Sequence, residues 1–234
     1  VGLQVLVSRI NLTEFGVERM QNAELEWVSE KAQAHQDVLA AVLTETPVIP
    51  LRFGTICREE SDVVKLLIHY APEFKSHLKK FKARQEWGVK IYFSGDQLRQ
   101  LLVDTQPELQ AIQAEIDGRS EGTAYMLRKK FDSLVDEAME TELDSIVADC
   151  HEQLSAVADE VRVNPLPSPQ LTGKAAKALL NGAYLIQKKK VKRFEQVAHT
   201  LVETYASLGC EVQVSGPWPP YNFVQLSEMG EGSG

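Results

Sequence analysis

The sequence predicts an α+β protein of two domains followed by an extended tail. Short valine-rich or alternating runs, typical of strands, are interspersed with longer segments whose apolar residues recur every three or four positions, as in helices. Residues 216–223 carry three prolines among three aromatics, a composition that fits neither an ordinary helix nor a central strand. We therefore expect a ferredoxin-like (split βαβ) N-terminal domain over residues 1–95, a helix-rich α+β domain over residues 96–215 and a tail over residues 216–234.

The first domain is predicted to open with a strand, a helix and a second strand. Residues 1–10 are short and rich in valine and leucine, which indicates a buried strand. An apolar stripe between about residues 22 and 44 predicts a long helix. Residues 48–54 indicate a short strand, and Pro50 favours a sheet edge or a bulge for it.

The first domain is predicted to end with a divided helix and a third strand. The helical pattern returns from Glu59 to about Lys82, and Pro72 predicts that it is divided into two pieces. Residues 88–93 alternate between apolar and polar, which predicts a half-buried strand. The first half thus gives the order β-α-β-α-β.

The second domain is predicted to be mostly helical up to about residue 161. Breaks are expected at Pro107 and at the turn over residues 117–120, and a change in phase of the apolar stripe predicts a bend or break near residues 140–142. The remaining elements are predicted as strands near residues 161–165 and 183–186, a helix over residues 191–208 capped by Gly209, and a strand over residues 211–214. The resulting order α-β-β-α-β is that of a ferredoxin-like unit lacking its first strand.

Composition excludes several classes of function. The formal net charge of −8 argues against a general affinity for nucleic acid or for an anionic lipid membrane, and no stretch approaches the ~20 apolar residues of a spanning helix. The three cysteines are odd in number and widely spaced, which fits reduced thiols in a cytoplasm, and no secretory signal is visible. We expect a cytoplasmic protein.

No pattern of catalytic, metal or cofactor chemistry is visible. There is no GxSxG motif, and Cys150 and His151 are neighbours that point about 100° apart on a helix. The five histidines lack metal-ligand spacing, and no glycine-rich phosphate loop occurs. We therefore predict no catalytic residues, no metal and no cofactor, and a binding or assembly protein rather than an enzyme.

Three features remain as candidates for binding. The tail aromatics either dock on the chain's own core, which we favour, or form a partner surface. Arg52 could form a buried bidentate pair with a ligand, or with an internal carboxylate such as Glu86. The basic run at residues 188–193 could contact an anion, but such a run is more often solvated surface.

Four segments, in order and spacing, resemble the gas vesicle protein F/L family (GvpF/GvpL). They are PVIPLRFGT at residues 47–55, EWGVK at 86–90, GTAY at 122–125 and GPWPPYNF at 216–223. Trp27, His35 and NGAYL at residues 181–185 add to the resemblance, which spans nearly the whole chain and favours the F branch over the L branch.

The resemblance implies a non-enzymatic accessory or minor structural protein that takes part in gas vesicle assembly and is associated with the vesicle. Its implied partners are the very hydrophobic main shell protein and other accessory proteins, engaged in a chaperone-like or nucleating way. The residues we would assign to the partner surface are Arg52, Phe53, Trp87, Tyr125, Trp218, Tyr221 and Phe223. The alternatives are a ligand-binding regulatory module with ferredoxin-like domains and, less favoured, an unrecognised hydrolase.

Overall fold

The structure, a computed structural model, describes residues 2–15, 24–167 and 176–226. Its helices and strands are, in chain order, α1 (Leu12–Phe15), α2 (Leu25–Glu45), α3 (Glu60–His69), α4 (Ala71–Phe81), β1 (Arg84–Phe93), α5 (Gln97–Thr105), α6 (Pro107–Asp117), α7 (Glu121–Ser155), β2 (Glu160–Val163), β3 (Lys177–Gln187), α8 (Val191–Ala206) and β4 (Cys210–Trp218). The predicted α+β class is confirmed.

The chain divides by its contacts into two units. One, here the helical unit, groups Val1–Glu86 with Pro217–Gly234, and the other, the sheet unit, is Trp87–Gly216. The boundaries predicted near residues 95 and 215 stay predictions beside this division, which falls inside β1 and near the end of β4. The terminal residues 230–234, which we expect to be disordered from their glycine-rich sequence, lie outside the described residues.

The four strands form one antiparallel sheet in the order β2-β3-β1-β4. In the β2–β3 pair, Glu160 lies opposite Leu185 and Val163 opposite Gly182. With helices between β1 and β2 and between β3 and β4, this is the ferredoxin-like order. The first strand that the second half was predicted to lack is β1, which we had assigned to the first domain.

The ferredoxin-like arrangement predicted for residues 1–95 is therefore corrected. Residues 2–11 have no regular structure and pair with no strand in the described part of the chain. Residues 48–54 form no strand either, because Arg52 to Thr55 make a tight turn in which the Thr55 amide donates to the Arg52 carbonyl at 3.0 Å. Gly54, with φ 86°, supplies the left-handed residue of this turn.

The helices of the first half follow their prediction closely. Helix α2 covers nearly the predicted range, and the next helical segment is divided into α3 and α4. Pro72 lies in the first turn of α4, where its missing amide hydrogen costs no helical hydrogen bond.

Helix α7 runs unbroken for 35 residues, so the break predicted near residues 140–142 is wrong, and a bend there stays a prediction. Its buried side chains include Val135, Leu143, Ile146 and Cys150. Met139 packs against the same core, so spacings of three and four continue through the proposed break and one face stays apolar. The breaks expected on either side of α6 are confirmed.

The core of the sheet unit lies between the sheet and its helices. Strand β1 contributes Val89, Ile91 and Phe93, as its alternation predicts, but Tyr92 is also buried, so this end of the strand is covered on both faces. Gly209 ends the α8 segment with φ 85°, as predicted, and its carbonyl accepts from the Ser94 amide at 3.0 Å.

Candidate functional site

The segment after β4 docks on the rest of the helical unit, which is formed by residues 1–86. Pro219 and Pro220 are buried, and residues 221–223 form a single 3₁₀ turn in which the Phe223 amide donates to the Pro220 carbonyl at 3.2 Å. Phe223 is only 1% exposed. Each proline fixes φ, so the chain enters this turn with little conformational freedom to lose. The prediction that the tail aromatics dock on the chain's own core holds for Phe223 and in part for Tyr221, but not for Trp218, which is 42% exposed.

Glu86 and Asn222 form the central polar contact of the docked segment. The Asn222 backbone N–H donates to Glu86 Oε2 at 3.1 Å, and its side-chain Nδ2 donates to Oε1 at 2.6 Å. Glu86 is 4% exposed. Burial raises the pKa of its carboxyl to about 7, while the two hydrogen bonds from Asn222 act in the opposite direction.

Two histidines hold the segment on either side of this contact. The His35 Nε2 of α2 hydrogen-bonds the Tyr221 hydroxyl at 3.1 Å, and the ring of His35 meets Phe53 edge-on at 5.8 Å between centroids. On α4, His77 Nε2 donates to the Gln225 carbonyl at 2.8 Å. Because His35 contacts Phe53 as well, one side chain joins the tail to the loop after α2.

The predicted partner residues fall in both units. In the helical unit, Phe53 and Tyr221 meet through His35 and are half-buried, and Phe223 is buried. Arg52 is exposed, and the pair we considered with Glu86 does not form, since Glu86 is bonded to Asn222 instead. Trp218 is 42% exposed.

The two remaining candidates lie in the sheet unit. Trp87 packs against Phe194 at 6.1 Å between ring centroids, and its indole nitrogen is buried with no hydrogen-bond partner among the described residues. Tyr125, on the first turns of α7, is 65% exposed, and Met126 beside it is 66% exposed. These two exposed side chains follow one another in the same helical turn, and we call the pair the α7 patch. Met126 was not singled out from the sequence, because its helical spacing does not distinguish it from a core residue.

Sequence reasoning also missed the contacts of Glu86, His77 and Asn222. Their partners are far away in the sequence, and no local pattern marks such a pair. The presence of a carboxylate in EWGVK and an amide in GPWPPYNF was visible, but nothing in the spacing joined them.

The buried titratable groups of the sheet unit serve packing. Cys150 is fully buried, and burial, with smaller effects of Asp149 and Cys210, raises the pKa of its thiol to about 12, which disfavours the reactive thiolate. His151, its neighbour, instead hydrogen-bonds the Tyr184 hydroxyl through Nδ1 at 3.0 Å.

Other candidate sites are weak. A search of the described residues finds no group of three or more His, Cys, Asp or Glu placed to hold a metal ion. An open depression of about 350 Å³ lies between α6 and α7 and is lined by the carboxylates of Asp117 and Asp132 and by the guanidinium of Arg128. Because charges of both signs line it, the depression favours neither an anionic nor a cationic ligand. None of the helices in the described ranges is long and apolar enough to span a bilayer.

Comparison with known proteins gives a consistent family. The family model described as "Gas vesicle synthesis protein GvpL/GvpF" matches residues 1–225. Gas vesicle protein L of Streptomyces sp. (strain CB03234) is 29% identical over 210 residues, covering 90% of this chain and 74% of that protein. Gas vesicle protein F of the same strain is 26% identical over 199 residues, covering 82% and 76%. Both F and L proteins are similar, so the F branch is not separated from the L branch.

Solved structures agree in fold. The crystal structure of GvpF from Anabaena sp. PCC7120 is 20% identical with a TM-score of 0.67, and the match covers 88% of this chain and 80% of that one. GvpF from Microcystis aeruginosa gives a TM-score of 0.60 at the same identity, over 87% and 80%. The members of this family are gas vesicle structural and assembly proteins, and the family is not known to have enzyme activity. The chain belongs to the GvpL/GvpF family, and its role lies in gas vesicle formation.

Proposed function

We propose that the chain assists gas vesicle assembly by binding the hydrophobic main shell protein before that protein enters the shell. A shell subunit with an apolar surface aggregates in water unless the surface is covered, so an accessory protein must offer an apolar surface of its own. Action is cytoplasmic and chaperone-like, and no reaction is catalysed.

The observation that carries this proposal is the exposure of the α7 patch. Tyr125 and Met126 are the two most exposed of the large apolar side chains in the described residues. Tyrosine offers a rigid apolar face with a polar tip, and methionine is flexible enough to fit irregular partners. Tyr125 also lies in the GTAY segment that carries part of the family resemblance.

The other predicted residues divide into two groups under this proposal, apart from Trp87, which is half-buried against Phe194. Arg52 and Trp218 are exposed to an extent that allows contact with a partner. Phe53, Tyr221 and Phe223 are partly or fully covered and hold the tail in place, so they act on binding only through the fold.

The test is light scattering of the main shell protein diluted from denaturant with and without an equimolar amount of this chain. We expect the wild-type chain to suppress aggregation and a Tyr125→Ser, Met126→Ser variant to lose most of this effect with an unchanged circular dichroism spectrum. The matched control is Val64→Ser, Ile68→Ser, which removes two side chains of α3 that are 52% and 63% exposed in the other unit.

Two results would contradict the proposal. Aggregation that proceeds equally with the chain, or with an unrelated acidic protein in its place, would rule out direct engagement of the shell protein. Equal loss of suppression in the α7 and α3 variants would remove the α7 patch as the binding surface.

A further inference from the structure

We propose that two copies of this chain form a dimer through complementary charges: the basic run at residues 188–193 of each copy lies on an acidic stripe of α7 in the other. The acidic stripe is the set Glu137, Glu140 and Asp144. The proposal is independent of shell-protein binding, and both charged surfaces belong to the sheet unit.

Most of the positive charge of the basic run is open to a partner. The run holds five cations in six residues and lies in the 3₁₀ turn Lys188–Lys190 and at the start of α8. Lys190 places its ammonium 3.5 Å from a carboxylate oxygen of Asp159. The other four cations are exposed and pair with no carboxylate among the described residues; they are Lys188, Lys189, Lys192 and Arg193.

The basic run does not stabilise the helix that follows it. The N-terminal end of a helix carries a partial positive charge, so cations in the first turn are unfavourable and carboxylates there are favourable. Lys192 and Arg193 stand in the first turn of α8, which contains no acidic residue. An anionic surface from outside the chain would offset this repulsion.

The acidic stripe lies on the face of α7 that is turned away from the core. Between residues 132 and 155 this helix carries eight carboxylates and no lysine or arginine. Glu137, Glu140 and Asp144 are exposed and recur at spacings of three and four, so they line one face. Buried Ile146 lies on the opposite face.

No cation within the described ranges pairs with the acidic stripe. Arg99 reaches the same helix but binds elsewhere, with Nη2 2.8 Å from Asp132 Oδ1 and Nη1 3.9 Å from Asp136 Oδ1. Like charges three and four residues apart on a helix repel each other. The stripe and the basic run are therefore each unfavourable alone, and each would be stabilised by the other.

The run and the stripe are too far apart to pair within one chain. Lys190 is held at Asp159, four residues beyond the end of α7. Asp144 lies 11 residues before that end, which is roughly 16 Å along the helix axis. The far end of α8 reaches α7 where the Tyr205 hydroxyl donates to Asp149 at 2.7 Å, so the run stays at the end of α8 away from the stripe.

The net charge of −8 makes this contact selective. Two copies with that charge repel each other in most orientations. Setting the basic run of one copy against the acidic stripe of the other replaces this repulsion by attraction. In a two-fold dimer the contact forms twice, because the run of each copy faces the stripe of the other.

The test is sedimentation velocity of the full chain over a range of concentrations, in about 0.1 M and about 1 M NaCl, where the Debye length is about 10 Å and about 3 Å. In the lower salt we expect the weight-average mass to rise with concentration toward twice the monomer mass. In the higher salt we expect it to return to the monomer mass, because the charges are screened.

Charge reversal tests the two surfaces separately. A run variant, Lys189→Glu, Lys192→Glu, and a stripe variant, Glu137→Lys, Glu140→Lys, should each stay monomeric in the lower salt, because each sets like charges against each other. An equimolar mixture of the two variants should form dimers again, because the native run of one variant meets the native stripe of the other.

The matched control is Lys75→Glu, Lys79→Glu, which makes the charge change of the run variant at exposed positions of α4 in the helical unit. This control should form dimers as the wild type does. Circular dichroism checks that each variant is folded. If the run variant fails to fold, Lys189→Gln, Lys192→Gln takes its place and should weaken dimer formation.

Three outcomes overturn the proposal. A wild-type chain that stays monomeric at every concentration in the lower salt would show that copies do not associate. Dimers that persist in the higher salt would show that charge does not hold them. Dimers of either reversed variant alone, or none in the mixture, would show that the run and the stripe do not meet.

Discussion

Replacing Phe223 by alanine tests whether the tail stabilises the helical unit. The side chain is 1% exposed, so its transfer from water contributes about 1.5–3 kcal/mol, and the cavity left by truncation adds to the loss. The cation–π contact with Lys80, 5.9 Å from the ring centroid, adds about 0.5–1 kcal/mol. We expect Phe223→Ala to lower the free energy of unfolding by about 3–4 kcal/mol.

The assay is urea unfolding followed by far-UV circular dichroism, with Trp218→Ala as the matched variant in the same tail. Trp218 is 42% exposed, so its truncation should cost roughly 2 kcal/mol or less, below the ~3 kcal/mol expected if it were the main tail contact. A loss below about 1 kcal/mol for Phe223→Ala, or one no larger than that for Trp218→Ala, would refute the docked tail.

Two further predictions concern the sheet unit and the thiols. Gly209→Ala should lower the free energy of unfolding by about 2 kcal/mol in the same assay, because φ is 85° and an added Cβ would collide with the Ser94 carbonyl oxygen; an unchanged midpoint would contradict this. In a thiol titration at pH 8, Cys57 should react at once and Cys150 and Cys210 only after denaturation, because Cys57 is exposed, the other two are buried, and burial raises the pKa of both. Rapid reaction of all three thiols in the native protein would contradict their burial.

The local part of the fold could be predicted from the sequence. The apolar stripe of α2, the alternation of β1 and the glycine after α8 are visible within one element, because periodicity and turn chemistry act over a few residues. The error at α7 has the same origin. A change in phase of the apolar stripe is a local signal, whereas Val135, Met139 and Leu143 keep one face packed through the proposed break, so the helix continues.

The pairing of strands could not be predicted in the same way. Residues 1–10 have the composition of a strand, but a strand needs a partner, and in the described residues they have none. Conversely, β1 lies ahead of the predicted boundary and still pairs with β3 and β4, which follow much later in the chain. The sequence shows which segments favour an extended conformation, and the sheet order depends on long-range contacts.

The sequence predicted which segments contribute to the candidate site, but not the contacts between them. The aromatic tail and the EWGVK segment were singled out, but their contact joins Glu86 to Asn222 across 136 positions. The exposure of Tyr125 could not be predicted from the sequence either. Its neighbour Ala124 lies in the same helical turn and is buried, and no local pattern separates the two residues.

Photo-crosslinking in cells that form gas vesicles tests the central claim most directly. A benzoylphenylalanine introduced at position 125 should form an adduct with the main shell protein, whereas the same group at position 64, on the exposed face of α3, should not. An adduct from position 125 alone would support binding through the α7 patch. Absence of a shell-protein adduct at position 125, or equal adducts at both positions, would contradict the proposed function.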